Sequence, residues 1–481
     1  MPRRADQPQH VVGRTVRKRI LRPLDGTLWR RGEVGFEEAA ISGLFNERVP
    51  SRRPMAVLRA GSVADIVAGV GMAADAGWQV AVRAGGHSWE AWSLRERTLL
   101  LDVSALDELS YDPAMGIATV GPGVRGGLDL DPFLAQQGRF FPVAHAPSVG
   151  VAGFLLQGGL GWNSRGWGWA AEHVESLDVV TASGELVRCS EEENSDLFWM
   201  ARGSGPGFVG VVTSFRLRTR PRFRRLTHAS YVYPAESAPD VLAWFAECRF
   251  EVPDEVELAL VGCTLADHGQ VVVVDAVSFD GGRRSLSTLD TCPVLGRALS
   301  RRRIPSIPFA ELMAVQIRAN PEGHRYHVDN IFLTGRAEDW CETLSSIFGS
   351  LPTARTFTVL GDLSPSDRRA RPDMAFSLES DLYFAAYVIT DAPSDDARCR
   401  HWLARTMDAL TPLSAGCYLG DSDLLTRSDR IMSDAAWERY QKVRDDRDPK
   451  RLFPGYLGEP TQTTYPKTTV PPPSTATERS T

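Results

Sequence analysis

The sequence predicts an α+β protein of two lobes, the second built on an antiparallel sheet that is backed by helices. Short apolar strands, amphipathic helices and glycine-rich turns follow one another as far as about Pro221. Beyond this point the glycines thin out, and apolar strands alternate with longer helical stretches. At 481 residues the chain is long enough for two or three domains that each bury a core.

These changes in composition divide the chain into five parts. They are a loose N-terminal arm (1–27), a first domain (28–221), a second domain (222–430), a segment that returns to the first domain (431–458) and a tail rich in Thr, Pro and Ser (459–481). The composition of the tail is typical of disorder, because it offers little apolar surface to bury.

The first domain is predicted to begin with a helix near Gly61, where Ser62 and Asp65 form a possible capping box. Gly77 supplies the stop signal of this helix. Strands are then expected at 78–83, 98–103, 116–120, 174–181, 185–188 and 211–218, with a helix at 124–137. Residues 140–168 are both apolar and rich in glycine, which predicts a loop packed closely against a flat partner and not a flexible linker.

The second domain shows fewer but longer elements. Strands are predicted at 270–279, 356–360 and 382–389, and helices at 239–250, 338–348 and 397–410, followed by a last helix at 437–447. The basic run from Arg301 to Arg303 is interpreted as a solvated loop.

Composition excludes several classes of function. A net charge of −6 argues against nucleic acid as the main partner, because a phosphate backbone requires a basic surface. The chain has seven cysteines and no Cys-x-x-Cys motif, which favours free thiols in a reducing compartment. It shows neither an apolar leader nor an apolar run of membrane-spanning length, so we expect a soluble cytoplasmic protein, monomeric or homodimeric, with no membrane partner.

The most informative motif surrounds His87. A strand ends at Arg83 and is followed by Gly85 and Gly86, then by His87 and Ser88. Adjacent glycines let the backbone turn sharply and aim consecutive N–H groups at one point, which suits a pyrophosphate. Spacing alone leaves two interpretations open: a phosphate-binding turn with a histidine at its edge, or an ordinary glycine turn.

Two other motifs are weaker. Gly121–Gly126 matches G-x-G-x-x-G, but no carboxylate follows about 20 residues later, so a nicotinamide site is not predicted. His324 and His327 lie near Asp329, but no cysteine or further histidine clusters with them. Zinc needs three or four ligands on rigid elements, so we predict no metal site and interpret both as polar loop histidines.

Several motifs taken together resemble those of a known family. They run in order through the chain: Val82–Ser88, Pro147–Gly153, Gly158–Trp162, Ala170–Val174, Leu197–Trp199, Arg202–Phe208, Asp448–Pro449 and Leu452–Phe453. This set resembles the FAD-linked oxidases of the vanillyl-alcohol oxidase (PCMH) fold, within them the berberine-bridge-enzyme-like group. The resemblance is close over about 50–220 and returns at 430–455. It implies a PCMH-type FAD-binding domain followed by a substrate domain.

The resemblance implies a covalent flavin. In this family the histidine of Gly-Gly-His is bonded to the 8α-methyl group of FAD, and His87 stands at that position. Many members add a cysteinyl bond just before Pro-Ser/Thr-Val-Gly, but here Ala146 stands there, so a single bond is expected. In relatives the position of Val149 governs access of dioxygen. The residues implied to bind FAD are Arg83, Ala84, Gly85, Gly86, His87, Ser88, Pro147, Ser148, Val149, Gly150, Gly153, Gly158, Gly159, Gly161, Val174, Gly210 and Val212.

The catalytic base is less well defined by the resemblance. Relatives use a late Tyr-x-Asn segment, which here reads Tyr418-Leu419-Gly420 and lacks the asparagine. Tyr418 is the first candidate for the base, with Asp421, Tyr326 and Tyr383 as alternatives.

The expected reaction is oxidation of a small molecule. A hydride leaves a C–H bond next to O or N for flavin N5, and O₂ then reoxidises the flavin and gives H₂O₂. Three alternatives remain: a dehydrogenase with another electron acceptor, a flavin oxygenase of a biosynthetic pathway, and an FAD-loaded binding protein without turnover.

Overall fold

The computed structural model of the protein describes residues 23–281, 286–363, 370–422 and 424–461. Most of the predicted N-terminal arm and of the predicted tail lies outside these residues. The α+β class is confirmed: three larger sheets and a two-stranded ladder are combined with helices. No helix in the described ranges is long and apolar enough to cross a membrane.

A four-stranded sheet opens the first lobe. It has the order β1-β2-β4-β3 and contains β1 (Thr27–Arg30), β2 (Ala56–Arg59), β3 (Gln79–Arg83) and β4 (Thr98–Asp102), with α1 (Phe36–Ile41) and α2 (Val63–Ala76) between strands. Both β2 and β3 run parallel to β4. The predicted N-cap and stop of α2 are confirmed, since Ser62 Oγ accepts from Asp65 N (3.3 Å) and Gly77 is left-handed with φ of 69°. The reciprocal half of the capping box is not formed, because the Asp65 carboxylate accepts from Gly61 N (2.9 Å) and Gly26 N (2.7 Å).

A five-stranded antiparallel sheet completes this lobe. Its order is β5-β6-β10-β8-β9, and its strands are β5 (Leu109–Asp112), β6 (Ile117–Val120), β8 (Val174–Thr181), β9 (Leu186–Cys189) and β10 (Gly210–Arg218). The short strands β7 (Arg139–Phe140) and β11 (Arg220–Pro221) pair beside it. The predicted helix at 124–137 is shorter, with a wide π turn at Gly126–Leu130 before α3 (Asp131–Gln136).

The glycine-rich segment 140–168 departs from its prediction as loop. It contains two short helices, α4 (Val151–Leu156) and α5 (Ser164–Trp167), and a further helix α6 (Ser195–Met200) follows in the same lobe. Local glycine content disfavours a helix, but Val151, Leu155 and Phe154 are buried in the core and stabilise α4 by packing.

An antiparallel sheet of eight strands forms the second lobe. Its order is β15-β12-β14-β13-β17-β18-β16-β19, and its strands are β12 (Thr227–Pro234), β13 (Val256–Leu265), β14 (Gly269–Ser278), β15 (Ser300–Pro305), β16 (Arg325–Leu333), β17 (Phe357–Asp362), β18 (Leu382–Thr390) and β19 (Ser414–Gly416). Helices α7 (Ala238–Cys248), α9 (Ala337–Phe348) and α10 (Asp396–Leu410) pack on one face, and α8 (Phe309–Ala319) lies nearer the first lobe. The antiparallel pairing of these strands and the helices that cover one face of the sheet both confirm the architecture predicted for the second domain.

Alternation along β13 explains which face of this sheet meets the first lobe. Leu260 and its neighbours of the same parity are buried against α7, α9 and α10. Glu257, Ala259 and Val261 have the opposite parity and line a cavity between the lobes. One face of the sheet therefore covers the cavity and presents both polar and apolar side chains to it. This face is called the underside below.

Two predictions for this lobe are wrong. His327 is not a loop residue: it lies in β16 with 2% exposure, and its Nε2 is 3.2 Å from Asp396 Oδ1. Burial lowers the pKa of His327 to about 4. The run Arg301–Arg303 is exposed, as expected, but it belongs to edge strand β15. No group of three metal-ligating side chains occurs among the described residues.

The last helix, α11 (Asp434–Arg447), contacts the first lobe. Tyr440 OH donates to the Gly207 carbonyl (3.1 Å), and the guanidinium of Arg447 pairs with Asp196 (2.7 Å). Asp448 accepts bonds from the N–H groups of the Leu452–Phe453 pair at 2.8 Å. The residues after α11 therefore lie beside the edge strand β3, where the Leu452 carbonyl accepts a hydrogen bond from Val80 N.

Candidate active site

A cavity of about 430 Å³ lies between the two lobes. Its lining comes from the loop after β3, the glycine-rich segment, the underside of the eight-stranded sheet and Phe453 and Pro454 of the C-terminal return. A largely pre-formed cleft between domains, apolar with a few polar groups, is the usual setting of a cofactor site.

Two loops meet at the floor of this cavity through glycines. A Cβ atom on Gly85 would lie 2.6 Å from the backbone N of Gly150, and a Cβ on Gly150 would lie 2.8 Å from the Cα of Gly85. Gly86 has a φ of 68°, and a Cβ there would overlap the Gly43 carbonyl. These glycines are therefore required because protein backbones approach closely here. The sequence predicted a sharp turn for Gly85 and Gly86, but it did not predict their contacts with Gly150 and Gly43.

The turn also presents free backbone donors. Within the described ranges, the N–H groups of residues 85–88 donate to no protein acceptor. Consecutive unpaired N–H groups that face a cavity form a concave site for an anion. This feature fits the diphosphate of a dinucleotide.

His87 stands at the edge of this turn and lines the cavity. Its ring stacks on Phe45, with centroids 4.3 Å apart and planes inclined by 22°. Its Nε2 lies 2.9 Å from Ser148 Oγ. Burial away from bulk solvent lowers the pKa of His87 to about 4, so the imidazole is neutral and nucleophilic at pH 7.

The structure brings most of the predicted cofactor residues together. Those that line the cavity are Arg83, Ala84, Gly85, Gly86, His87, Ser88, Val149, Gly150, Gly153, Gly161, Gly210 and Val212. A Cβ on Gly153 would meet no atom within 4 Å beyond the backbone of its own helix, whereas one on Gly161 would lie 2.5 Å from the Pro142 carbonyl. Gly153 thus leaves open space for a ligand, and Gly161 allows two backbones to pack.

Other predicted cofactor residues lie elsewhere. Pro147, Ser148, Gly158, Gly159 and Val174 are absent from the cavity lining, although Ser148 reaches His87. A Cβ on Gly158 would lie 2.8 Å from the Phe376 ring, and one on Gly159 would lie 2.8 Å from Ala170. Gly158 and Gly159 both have positive φ angles, and they are required because protein atoms pack closely against them.

Arg83 lines the cavity, but its charged side chain is engaged by protein groups and not directed at a ligand. Its guanidinium donates to the Asp102 carboxylate (2.7 Å) and to the carbonyls of Ala39 and Ala40 (2.8 and 2.5 Å). It is 4% exposed and holds the end of β3 against α1. Loss of either partner would leave an uncompensated buried charge at the end of β3.

A carboxylate with three donors lies on the second-lobe side of the cavity. Asp421 Oδ1 accepts from the Trp89 indole N–H (2.9 Å), and Oδ2 accepts from the hydroxyls of Tyr383 (2.7 Å) and Tyr387 (2.9 Å). Burial and the Asp421 charge raise the pKa of both phenols well above the usual range. The phenols are therefore neutral at pH 7, and each points its proton at Asp421.

Tyr418 lines the same cavity but has a different setting. Its hydroxyl accepts from Leu160 N (3.2 Å), and its backbone is held on both sides by the Asn330 amide (2.7 and 2.8 Å). Burial raises its pKa as well. Tyr326, the remaining candidate base, does not line the cavity and donates to the Pro321 carbonyl (2.6 Å).

Sequence reasoning missed Tyr387 and Trp89. Tyr387 lies four residues after Tyr383 in β18, so both side chains share one face of the sheet. That alternation is the signal that could have found Tyr387 once Tyr383 was a candidate. Trp89 follows the Gly-Gly-His-Ser turn directly, and nothing in its local sequence indicates Asp421 as a partner.

Two further histidine–carboxylate pairs, whose carboxylates lie on the cavity side of the eight-stranded sheet, were also missed. His145 Nε2 lies 2.7 Å from Glu257 Oε1, and His228 Nε2 lies 2.8 Å from Asp275 Oδ2. Burial opposes protonation of both rings, but the carboxylates outweigh it and raise both pKa values. Glu257 and Asp275 face the cavity together with His145.

Comparison with known proteins identifies the family of the chain. A family model described as an FAD binding domain matches residues 54–190. FAD-linked oxidoreductase nodO of Hypoxylon pulicicidum is 34% identical over 89% of this chain and 97% of its own length. The chain belongs to the FAD-linked oxidoreductases. The oxidoreductase also matches (R)-6-hydroxynicotine oxidase of Paenarthrobacter nicotinovorans, at 33% identity over 39% of this chain and 40% of that protein.

The fold of the oxidoreductase matches solved structures of the berberine-bridge-enzyme-like group. BBE-like 1 of Physcomitrella patens superposes with a TM-score of 0.79 at 20% identity, over 92% of this chain and 98% of that one. This likeness confirms the predicted two-lobed fold, and the family confirms FAD as the cofactor.

Gly85 and Gly153 give a matched pair of variants. We expect Gly85→Ala to lower the stability of the FAD-free protein by about 1–3 kcal/mol, because its Cβ overlaps the Gly150 backbone. Gly153→Ala should leave that stability unchanged or raised, and lower only the FAD content. Thermal unfolding and the flavin absorbance of the purified variants measure the two effects. Equal melting temperatures for Gly85→Ala and wild type would contradict the close approach.

Proposed function

We propose that the oxidoreductase is an oxidase that removes a hydride from a C–H bond next to an O–H or N–H group of a small molecule. FAD, when bound, accepts that hydride at N5 and passes the electrons to O₂, which leaves as H₂O₂. The observation that carries this proposal is the Asp421 carboxylate with two phenols on the cavity wall.

The direction of these hydrogen bonds defines the substrate group. The single protons of Tyr383 and Tyr387 are committed to Asp421, so the phenol oxygens offer only lone pairs to the cavity. A substrate hydroxyl or amine therefore donates to a phenol. A ketone or ether would find no donor at these two phenols.

The same arrangement provides a route for the proton. As the hydride leaves, the substrate O–H or N–H proton moves to a phenol oxygen, and the phenol proton moves to Asp421. A free phenolate is not available at pH 7, because the pKa of both phenols is raised. We therefore assign the role of base to Asp421, with Tyr383 or Tyr387 as the relay. Tyr418 remains a candidate for orienting the substrate.

Residues of the first lobe would hold FAD. The free N–H groups of 85–88 would bind its diphosphate, and Gly153 would face it without a side chain. His87 would supply a covalent bond to the 8α-methyl group. Ala146 lines the cavity and carries no nucleophile, so His87 would be the single link. Val149 lines the cavity too and is proposed to set the access of O₂.

Anaerobic and aerobic reactions together test this function. The purified protein is mixed with a panel of small alcohols and amines, and flavin absorbance is followed without O₂. We expect at least one donor to bleach the flavin, and admission of air to restore the colour with one H₂O₂ per substrate oxidised. Bleaching without peroxide would indicate a dehydrogenase, and a product heavier by one oxygen would indicate an oxygenase. Bleaching by no member of the panel would favour a binding protein without turnover.

A further inference from the structure

The two nitrogens of the His87 ring have unequal surroundings. Nε2 lies 2.9 Å from Ser148 Oγ. Nδ1 has no hydrogen-bond partner among the described residues, and the ring lines the cavity. In a neutral imidazole one nitrogen carries the proton and the other carries a lone pair, and the hydrogen bond made by one determines the role of the other.

The ring is also held in place by its neighbours. Phe45 stacks on it, and Phe45 is itself packed against Trp89 and Tyr326, with centroids 5.8 and 5.4 Å away. The Phe45 N–H donates to the Gly86 carbonyl (3.1 Å), which ties this clamp to the turn that carries His87. A half-turn of the ring about its Cβ–Cγ bond would put Cε1 where Nε2 lies and Cδ2 where Nδ1 lies, and so would break the bond to Ser148.

We propose that Ser148 is a positioning residue that fixes the Nε2–H form of His87, so that Nδ1 is the nitrogen that becomes bonded to the flavin. This inference rests on the covalent link of the proposed function. The Nε2–H group donates to Ser148 Oγ, which leaves the Nδ1 lone pair directed at the cavity.

The bond-forming step balances with O₂ as oxidant. The Nδ1 lone pair forms a bond to the 8α carbon, while one 8α C–H proton and the Nε2–H proton are lost. Two electrons enter the flavin ring and pass to O₂, which leaves with the two protons as H₂O₂. The sum is imidazole N–H plus flavin CH₃ plus O₂, which gives imidazole–CH₂–flavin plus H₂O₂.

A hydroxyl group at position 148 can form a hydrogen bond with Nε2 of His87 both before and after the flavin bond is made. Before the reaction Ser148 Oγ accepts from Nε2–H, and afterwards the same hydroxyl can donate to the bare Nε2 lone pair. Alanine can do neither, whereas threonine can do both.

The test compares Ser148→Ala with Ser148→Thr, and uses Ser350→Ala as a control because Ser350 is exposed and remote. Each protein is produced in riboflavin-limited cells and incubated with FAD, and covalent flavin is followed by intact mass and by fluorescence of the denatured band. We expect Ser148→Ala to form the bond about tenfold more slowly, the effect of losing one hydrogen bond. Ser148→Thr and Ser350→Ala should match wild type, and non-covalent binding of FAD should be unchanged in all.

The attachment atom gives a second readout. Nuclear magnetic resonance of the flavin peptide should show Nδ1 substitution in wild type, and a mixture of Nδ1 and Nε2 products in Ser148→Ala. Attachment of wild type through Nε2, or a Ser148→Ala variant that reacts at Nδ1 at the wild-type rate, would overturn the role of Ser148. A wild-type protein that never forms the bond would instead overturn the covalent link of the proposed function.

Discussion

Replacement of Asp421 with Asn is expected to lower the rate of flavin reduction by substrate by about 10²–10⁴-fold, the usual contribution of a general base. Asparagine keeps the size of the side chain and an acceptor oxygen for the phenols, but it cannot take up the substrate proton. The measurement is stopped-flow bleaching of the flavin without O₂. FAD content and melting temperature should stay close to wild type, since within the described ranges the hydrogen bonds of Asp421 join it to side chains of the cavity wall and to the Tyr418 carbonyl of its own turn.

Three matched variants separate the relay from the base. Tyr383→Phe and Tyr387→Phe each remove one donor to Asp421, and the variant that loses the relay should fall toward the rate of Asp421→Asn. Trp89→Phe removes only a hydrogen bond to the carboxylate, so a loss of about tenfold or less is expected. If Asp421→Asn reduces its flavin at the wild-type rate while Tyr418→Phe does not, Tyr418 is the base and the assignment to Asp421 is wrong.

Replacement of His87 with Ala is expected to abolish covalent flavin, because Ala146 leaves no second nucleophile at the other attachment position. The cavity and the free N–H groups of 85–88 remain, so FAD should still bind and should be released on denaturation. Ultrafiltration after acid treatment measures the released fraction.

Turnover of the His87 variant should also fall. A covalent histidyl link usually raises the flavin potential, so the variant is expected to reduce its flavin more slowly. Cys189→Ala serves as the control, because Cys189 is buried in another element and burial raises its pKa to about 12. Flavin that stays bound to denatured His87→Ala would show that another residue carries the link.

The sequence allowed a detailed account of the cofactor side of the cavity. Gly85, Gly86 and Gly150 belong to short sequence motifs that can be recognised without the structure. In the structure, each of them lies where a Cβ atom would overlap a neighbouring backbone. Gly158 and Gly159 carry an equally clear pattern, but they pack against Phe376 and Ala170. A glycine signals close approach and does not tell whether the neighbour is a ligand or protein.

The substrate side was less predictable because its partners come from distant segments. Asp421 accepts hydrogen bonds from Trp89, which is 332 residues away in the sequence. It also accepts from Tyr383 and Tyr387 of β18, which are 38 and 34 residues away. Strand β16 was missed because it carries His327, Asp329 and Asn330, which are typical of a loop. Asp396, Arg427 and Tyr418 satisfy these buried groups through tertiary contacts.

The covalent anchor at His87 is tested most directly by the mass of peptides from denatured, protease-digested wild type. The account predicts one modified peptide, the one that contains His87, heavier by FAD less two hydrogens, with the peptide containing Ala146 unmodified. Unmodified peptides throughout, or a flavin carried by any other residue, would contradict it.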